Sequence, residues 1–396
     1  MEQKLIGTTT VFFTDRCREK NKGILKLTHP AMLAEEETLH WLDSVHLDEV
    51  AANMDADLRT AAENALSKGT VLLANTAWKT ADEWEKWLQI DNKKKKRVHL
   101  LALGDVGSTV LTALKLMGGD CIETLGIYDV NPDVCARWET ELNQAAFPWD
   151  YDALPTVEIL TEEQLFDCDM FIFCASKGIP PVGSQVQDVR MVQYEANKGI
   201  ISIFAKKARD AKFEGLFAVV SDPVDPLCRA AFLASNEDEA GIFDGKGLRP
   251  EQVQGYGLGV MNARAAYYAK QNPNFADFLT EGRAFGPHGQ DLVIANSIAN
   301  YDDERSKALT KLAIEANLRM RELGFKPYVA PAISSAAISL LLTLRGEWHY
   351  SSNFLNGVYM GSKNRTTLGV EIESLPLPDA LFKRIQKAYD GLEMIR

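Results

Sequence analysis

Val98-His99-Leu100-Leu101-Ala102-Leu103-Gly104-Asp105-Val106-Gly107 is the stretch on which the fold of this chain turns. A continuous apolar run closes on Gly104, and helical spacing takes over from Ser108 to Met117. Strand, glycine turn and helix in that order open a parallel sheet covered on both faces. Ala102 to Gly107 stands where a G-x-G-x-x-G turn would. Gly104 lets the backbone approach a pyrophosphate, Gly107 lets the helix pack close to the strand, and Asp105 and Val106 begin a helix whose free N–H groups face the phosphates. Alanine at 102 replaces the first glycine, which weakens the motif taken alone. Asp129 strengthens it, because it ends the next strand 25 residues after Gly104 (129 minus 104). A carboxylate there accepts hydrogen bonds from ribose hydroxyls and repels a 2′-phosphate. No arginine follows in Val130-Asn131-Pro132, so the expected dinucleotide is NAD rather than NADP.

Further apolar runs lie at Leu125 to Tyr128, Met170 to Cys174, Gly199 to Ala205 and Leu216 to Val220, with helical stretches between them. From about Leu258 the chain is richer in helix. It turns strand-like from Phe354 to Glu373 and ends in an amphipathic helix from Pro378 to Met394. Before the basic run Lys93 to Arg97, helical periodicity covers Glu35 to Leu66. A short apolar stretch, Thr70 to Ala74, and an amphipathic segment, Trp78 to Trp87, follow. The expected class is α/β: a Rossmann-type doubly wound parallel sheet, then an α+β substrate domain, with a small extra N-terminal domain. The expected bounds are 1–96 for the N-terminal domain, 97–225 for the dinucleotide domain and 226–396 for the substrate-binding, catalytic domain.

With 396 residues, 46% hydrophobic and 25% charged, the chain has the composition of a folded, two- or three-domain protein rather than a disordered one. A net charge of −12 argues against general binding to nucleic acid or to acidic membranes. The basic run reads as a solvated linker, since no aromatic residue interleaves it. Six cysteines without a C-x-x-C pair read as free thiols of a reducing cytosol. His40 and His46, six apart in a helical-looking segment, are expected on different faces, and no metal site is expected. The N-terminus lacks a signal-peptide core and no apolar window is long enough to span a bilayer, which points to the cytoplasm.

Chemistry concentrates in Gly286-Pro287-His288-Gly289-Gln290-Asp291, with Arg264 upstream in Asn262-Ala263-Arg264. An imidazole in a glycine turn suits proton transfer, and a guanidinium suits a carboxylate. Taken alone, such a histidine is more often structural; combined with Arg264 and the dinucleotide turn, it indicates proton transfer to a carboxylate-bearing small molecule beside NAD.

These motifs, over about 300 residues from Arg97 on, resemble the lactate/malate dehydrogenase family. Gly104 to Gly107 is similar to its nucleotide turn and Asp129 to its ribose-binding acid. Arg190, followed seven residues later by Asn197, resembles its mobile-loop arginine and asparagine. Ser221-Asp222-Pro223-Val224-Asp225 resembles S-N-P-V-D, Met261-Asn262-Ala263-Arg264 resembles L-D-x-x-R, and Gly286-Pro287-His288-Gly289 resembles G-E-H-G. The resemblance implies His288 as proton donor and acceptor, Arg264 as carboxylate clamp, Arg190 as a closing-loop cation, and Ala175 and Asn197 beside the coenzyme. It implies a homodimer or homotetramer acting on a 2-hydroxy or 2-keto acid.

Two positions depart from the family pattern. Asn262 stands where the family pairs an aspartate with the histidine, and Asp222 where it has a substrate-facing asparagine. One expectation is that Asn262 keeps the hydrogen bond to His288 while Asp222 restores its counter-charge. Another is that Asp222 faces a cationic or hydroxyl-rich substrate; a third is a drifted site. Gln185, Gln187 and Lys177 are candidates for reading the substrate's far end, Ser334 and Ser335 for lining the pocket, and the acidic insertion Ser235 to Gln254 for reshaping it. The competing class is a non-catalytic dinucleotide-binding protein with an N-terminal interaction domain. An NAD-dependent glycosidase is disfavoured, because the Ser221-Asp222-Pro223 element lacks a metal-binding cysteine.

Overall fold

The structure, a computed structural model, describes residues 2–90, 95–177 and 189–395, with side chains from residue 192 onward in the last segment. The N-terminal part runs β1 (Glu2–Ile6), β2 (Thr9–Thr14), β3 (Ile24–Lys26), α1 (Ala31–Ala34), α2 (Ser44–Asn53), α3 (Ala56–Lys68), β4 (Val71–Asn75) and α4 (Ala81–Leu88). Each of the three longer helices begins on a side chain that accepts an orphan N–H: Asp43 for α2, Asp55 for α3 and Thr80 for α4. Thr80 and Glu83 form a full capping box. This part is α/β, with β4 falling on the apolar stretch read as Thr70 to Ala74.

The central part is β5 (Lys96–Leu101), α5 (Asp105–Met117), β6 (Ile122–Tyr128), α6 (Pro132–Asn143), β7 (Thr156–Ile159), β8 (Met170–Phe173), α7 (Val189–Asp210), β9 (Leu216–Val219), α8 (Val224–Asn236) and β10 (Val253–Gly255). All five pairings among its strands are parallel, and their order is β7-β6-β5-β8-β9-β10. Numbered by appearance this is 3-2-1-4-5-6, the doubly wound dinucleotide topology. Val98, Leu100, Leu125, Ile127 and Ile172 are fully or almost fully buried, as strands covered on both faces must be.

The last part is α9 (Leu258–Ala269), α10 (Phe278–Glu281), β11 (Arg283–Phe285), β12 (Val293–Ala295), α11 (Asp303–Glu322), a π-helical turn over Pro331–Ala337, α12 (Ile338–Leu344), β13 (His349–Leu355), β14 (Val358–Thr366), β15 (Val370–Ile372) and α13 (Asp379–Glu393). Strand β13 pairs antiparallel with β10, β14 with β13 and β15 with β14. Then β15 pairs with β3, so the N-terminal strands extend the same 13-stranded sheet. The sheet therefore crosses both boundaries read from sequence, and its sixth parallel strand, β10, lies beyond residue 225.

Buried charge closes the seam between the N-terminal strands and the rest. Arg249, 5% exposed, bonds Glu251 at 2.7 Å and Glu214 at 2.8 Å and lies over the rings of Trp84 and Trp87. Glu251 in turn accepts from the Gly23 N–H at 2.8 Å. Lys22 donates to Glu37 and to the Phe354 carbonyl, deep in the protein.

Three expectations change. Gly199 to Ala205, read among the apolar runs, lies inside α7. Its buried positions, Tyr194, Asn197, Ile201, Ala205 and Ala208, are spaced three and four apart and form one helical face, whereas Ile203 is exposed. His40 and His46 do not diverge: the chain turns at Asp43 between a 3-10 turn and α2, and their rings lie 4.6 Å apart. The insertion after Ser235 lies at the far end of α8 from Asp222, where Asp244 pairs with Arg209 at 2.7 Å and the Arg18 guanidinium meets the Asp244 and Gly245 carbonyls. It braces the N-terminal part and leaves the pocket alone.

Candidate active site

Apart from Arg190 and Asn197, which lie on α7, the candidate residues of the central part stand just past the carboxyl ends of parallel strands. The turn Ala102 to Gly104 follows β5, Asp129 follows β6, Ala175 to Lys177 follow β8, Ser221 and Asp222 follow β9, and Gly257 follows β10. In a doubly wound sheet that edge is where ligands bind.

The dinucleotide turn is built for close approach. A Cβ on Gly107 would come within 1.9 Å of the Ala102 carbonyl oxygen, so only glycine lets α5 start there. A Cβ on Gly104 would meet nothing within 4 Å, leaving open space ahead of the helix N-terminus, which no side chain caps. Ala102 takes φ +75°, the left-handed conformation that explains why glycine is the usual residue there. Asp129 accepts from the Leu103 N–H at 2.8 Å through one oxygen and from the Asn131 N–H at 3.0 Å through the other. These bonds fix the carboxylate against the turn, and each oxygen keeps a lone pair for a hydroxyl donor. Asp105, in the first turn of α5, pairs with Lys326 at 3.0 Å.

Asn197 ties the neighbouring loops together from a fully buried position. Its amide donates to the Asp222 carbonyl at 2.7 Å and to the Ser176 hydroxyl at 3.2 Å, and its oxygen accepts from the Lys177 N–H at 2.9 Å. Ser221 donates to the Ala175 carbonyl at 2.7 Å. Asn197 thus ties together the loops that follow β8 and β9.

The imidazole of His288 donates from Nδ1 to the Gly257 carbonyl at 2.8 Å. That fixes the tautomer and leaves Nε2 without a described partner, available for proton transfer. A Cβ at Gly257 would lie 2.9 Å from the His288 Cβ and 3.1 Å from Val224 Cγ2, so the absence of a side chain there lets the ring settle. The same carbonyl accepts from Ser335 Oγ at 2.6 Å, and Ser335 Oγ accepts from the Val260 N–H at 2.9 Å. The expected bond from Asn262 to His288 is absent: a peptide carbonyl takes that place.

The carboxylate nearest His288 is Asp225, not Asp222. Asp225 is buried and accepts from the His288 N–H at 3.3 Å and from the Ser352 hydroxyl. Burial pushes its pKa up to about 6, against the pull of those two bonds. Asp222 is exposed, and its charge acts on Arg264 instead. Sequence reasoning gave Asp225 and Gly257 no role. Asp225 stands in the quoted Ser221-to-Asp225 element, and an acid in an otherwise apolar helix start was the available signal.

Arg264 sits seven residues after Gly257, two turns along α9 and on the same face, about 10 Å farther along the axis. Its guanidinium folds back by a turn, 3.5 Å from the Met261 sulfur and 3.4 Å from the Ala313 carbonyl. It therefore reaches back toward the N-terminal end of α9, the end at which the Gly257 carbonyl holds His288. Among the described residues no carboxylate lies within ion-pair distance of it. Burial lowers its pKa, with Tyr268 and Asp222 opposing.

Arg190 falls in the first turn of α7, where side chains are not described; Gln185, Gln187 and the lysines 93 and 94 lie outside the described residues. Ser335 is a structural brace rather than a lining residue. A surface depression of about 680 Å³, lined by His46, Val50 and Met54 among others, lies on the N-terminal part and includes none of these groups. Its openness to solvent and apolar floor do not outweigh the chemistry at the sheet edge.

No protein-family model matches the chain. It is 27% identical over 291 residues to a probable malate dehydrogenase of Campylobacter jejuni, covering 69% of this chain and 87% of the relative. It is 26% identical over 323 residues to an L-lactate dehydrogenase of Staphylococcus epidermidis, covering 75% and 95%. Among solved structures it resembles a minor L-lactate dehydrogenase from Enterococcus mundtii, with TM-score 0.61, 19% identity and coverage of 76% and 98%. It also resembles a malate dehydrogenase from Archaeoglobus fulgidus in complex with NADH, with TM-score 0.59, 18% identity and coverage of 75% and 97%. The matched span leaves out about a quarter of this chain. Sheet order, the motifs in register and these relatives agree: the chain resembles the lactate/malate dehydrogenases in sequence and shares their fold.

Proposed function

We propose that the chain is an NAD-dependent oxidoreductase that interconverts a small 2-hydroxy acid and its 2-keto form. The observation that carries the reading is that the Gly257 carbonyl, which holds the His288 ring, opens α9, the helix that carries Arg264, at the carboxyl edge of the 3-2-1-4-5-6 sheet. The open space before Gly104, the uncapped start of α5 and the lone pairs left on Asp129 fit a dinucleotide. Asp105 would crowd a pyrophosphate, and Lys326 offsets that charge. When bound, the nicotinamide supplies or accepts hydride.

The chain's own residues do the rest. Arg264 holds the substrate carboxylate by a two-pronged, charge-assisted bond and so fixes the reacting carbon. His288 Nε2 moves the proton at the substrate oxygen, while the Gly257 carbonyl keeps the ring in one orientation. Arg190, in the first turn of α7, would stabilise the charge that develops on the substrate oxygen. The domain division at 96/97 and 225/226, a homodimer or homotetramer, and a cytoplasmic location belong to the same reading. Among the described residues no helix is long and apolar enough to cross a membrane.

NADH oxidation across a panel of 2-keto acids, run beside NADH binding by fluorescence, tests the proposal. Binding with no turnover of any acid would favour a non-catalytic dinucleotide-binding protein, a reading to which the loss of the carboxylate at position 262 lends weight.

A further inference from the structure

Resting on the dehydrogenase reading, we propose that the preferred electrophile is an imine: a 2-imino acid whose protonated nitrogen is countered by Asp222 while its carboxylate is held by Arg264. Two observations carry this. The first is that, among the described residues, the cleft offers a cation, Arg264, and an anion, Asp222, neither of which is in an ion pair. The Arg264 guanidinium, half-buried, touches a sulfur and a peptide carbonyl but no carboxylate among the described residues. The Asp222 carboxylate is exposed, with only its backbone carbonyl engaged by Asn197, and it acts electrostatically on Arg264. Its place at the cleft is fixed from both sides: Asn197 holds Asp222 itself, and Val224, two residues on, packs against Gly257 beside the imidazole. An ionised carboxylate can only accept hydrogen bonds. A ketone oxygen, which also only accepts and becomes negative during reduction, is repelled there. A C=NH⁺ group donates a hydrogen bond and carries positive charge, so it is attracted.

The second observation concerns the proton. Reducing a ketone consumes one proton, which His288 must deliver as imidazolium. Here Nδ1 rests on a neutral peptide carbonyl, and the nearest carboxylate, Asp225, is held by the His288 main-chain N–H and Ser352. Among the described residues no carboxylate is bonded to the imidazole ring itself. Reducing a protonated imine needs no donor. Hydride from the dihydronicotinamide forms the new C–H bond, the C=N π pair becomes the nitrogen lone pair, and the nicotinamide is oxidised. A neutral amine results, which then takes a proton from solvent. In the oxidative direction the neutral imidazole of His288 accepts the ammonium proton before hydride leaves. Loss of the acid at 262 and gain of one at 222 thus have a common account: the counter-charge has moved from the histidine to the electrophile.

The test compares a cyclic imino acid, pyrroline-2-carboxylate, with the straight-chain 2-keto acid of equal carbon number. NADH oxidation is followed for the native protein and for Asp222→Asn, an exposed and nearly isosteric change whose fold is checked by circular dichroism. The native protein is expected to prefer the imine by about 100-fold in kcat/KM, and the variant to lose that preference. An independent readout is calorimetric binding of proline against a 2-hydroxy acid of similar size: Asp222→Asn should weaken proline by about 10-fold or more and spare the hydroxy acid. A native preference for the keto acid that Asp222→Asn leaves unchanged overturns the imine assignment and leaves the dehydrogenase reading standing. If neither substrate is consumed and neither amino nor hydroxy acid binds, while NADH fluorescence still reports binding, both fall.

Discussion

Replacing Asp225 by asparagine should make the protein more stable at neutral pH, although it removes a residue next to the proposed proton carrier. The buried carboxyl titrates at about 6 in the folded protein against an ordinary 3.8, because burial penalises its charged form. A folded pKa above the unfolded one means that the native state holds the proton more tightly between those values. Stability that is fully present below the unfolded pKa is therefore lost as pH rises through the folded one. The whole shift is worth about 3 kcal/mol, at about 1.4 kcal/mol per unit, once pH exceeds both values. Asparagine never ionises, and its amide satisfies the site: Oδ1 can accept from the His288 N–H, and Nδ2 can donate to Ser352 Oγ, whose hydroxyl is free to turn. Urea unfolding of native protein and Asp225→Asn should give a stability gap of about 1.5 kcal/mol near pH 5, widening to about 3 kcal/mol near pH 7.5. A variant less stable than the native protein at the higher pH, or a gap that does not change with pH, would refute the idea that this carboxylate is held at a cost.

Three further outcomes follow from the geometry. Gly257→Ala places a Cβ 2.9 Å from that of His288, so the imidazole must shift; kcat should fall about 100-fold with NADH affinity unchanged, and equal loss of both would point to general unfolding. Arg264→Lys keeps the charge but loses the fork, and kcat/KM for the preferred acid should drop about 10- to 100-fold; full activity would remove Arg264 from carboxylate binding. Arg249→Met strands Glu251 without its cation in the seam under Trp84, and the urea midpoint should report a loss of about 3–5 kcal/mol, whereas a neutral result would mean that the seam contributes little.

Much of the central sheet was legible because strands covered on both faces must be continuously apolar. Leu125 to Tyr128, Met170 to Cys174 and Leu216 to Val220 fall on β6, β8 and β9 within a few residues. Gly199 to Ala205 failed for the same reason: a seven-residue apolar run does not reveal its period, and only the wider spacing from Tyr194 to Ala208 betrays a helix. The residues proposed for chemistry were readable as motifs, since proton carriers and carboxylate clamps have few chemical options. Their partners were not. That a backbone carbonyl holds His288, and that Asp225 rather than Asp222 lies against it, depends on which strand end meets which loop. Local sequence marks Asp225 as an acid in an apolar helix start but does not show which loop it meets. Nor does it reveal that β3 joins β15 across more than 300 residues of chain.

The π-helical turn at Pro331–Ala337 fits one more residue into its loop than an α-helix would, and Ser335 lies on it. Deleting a single residue from that turn would let ordinary winding resume and rotate Ser335 by about 100°. Its hydroxyl would then leave the Gly257 carbonyl and the Val260 N–H, and the support under the imidazole would go with it. The extra residue acts as a spacer that keeps two helices in phase, so a one-residue length change in that turn would be read out at the ring of His288.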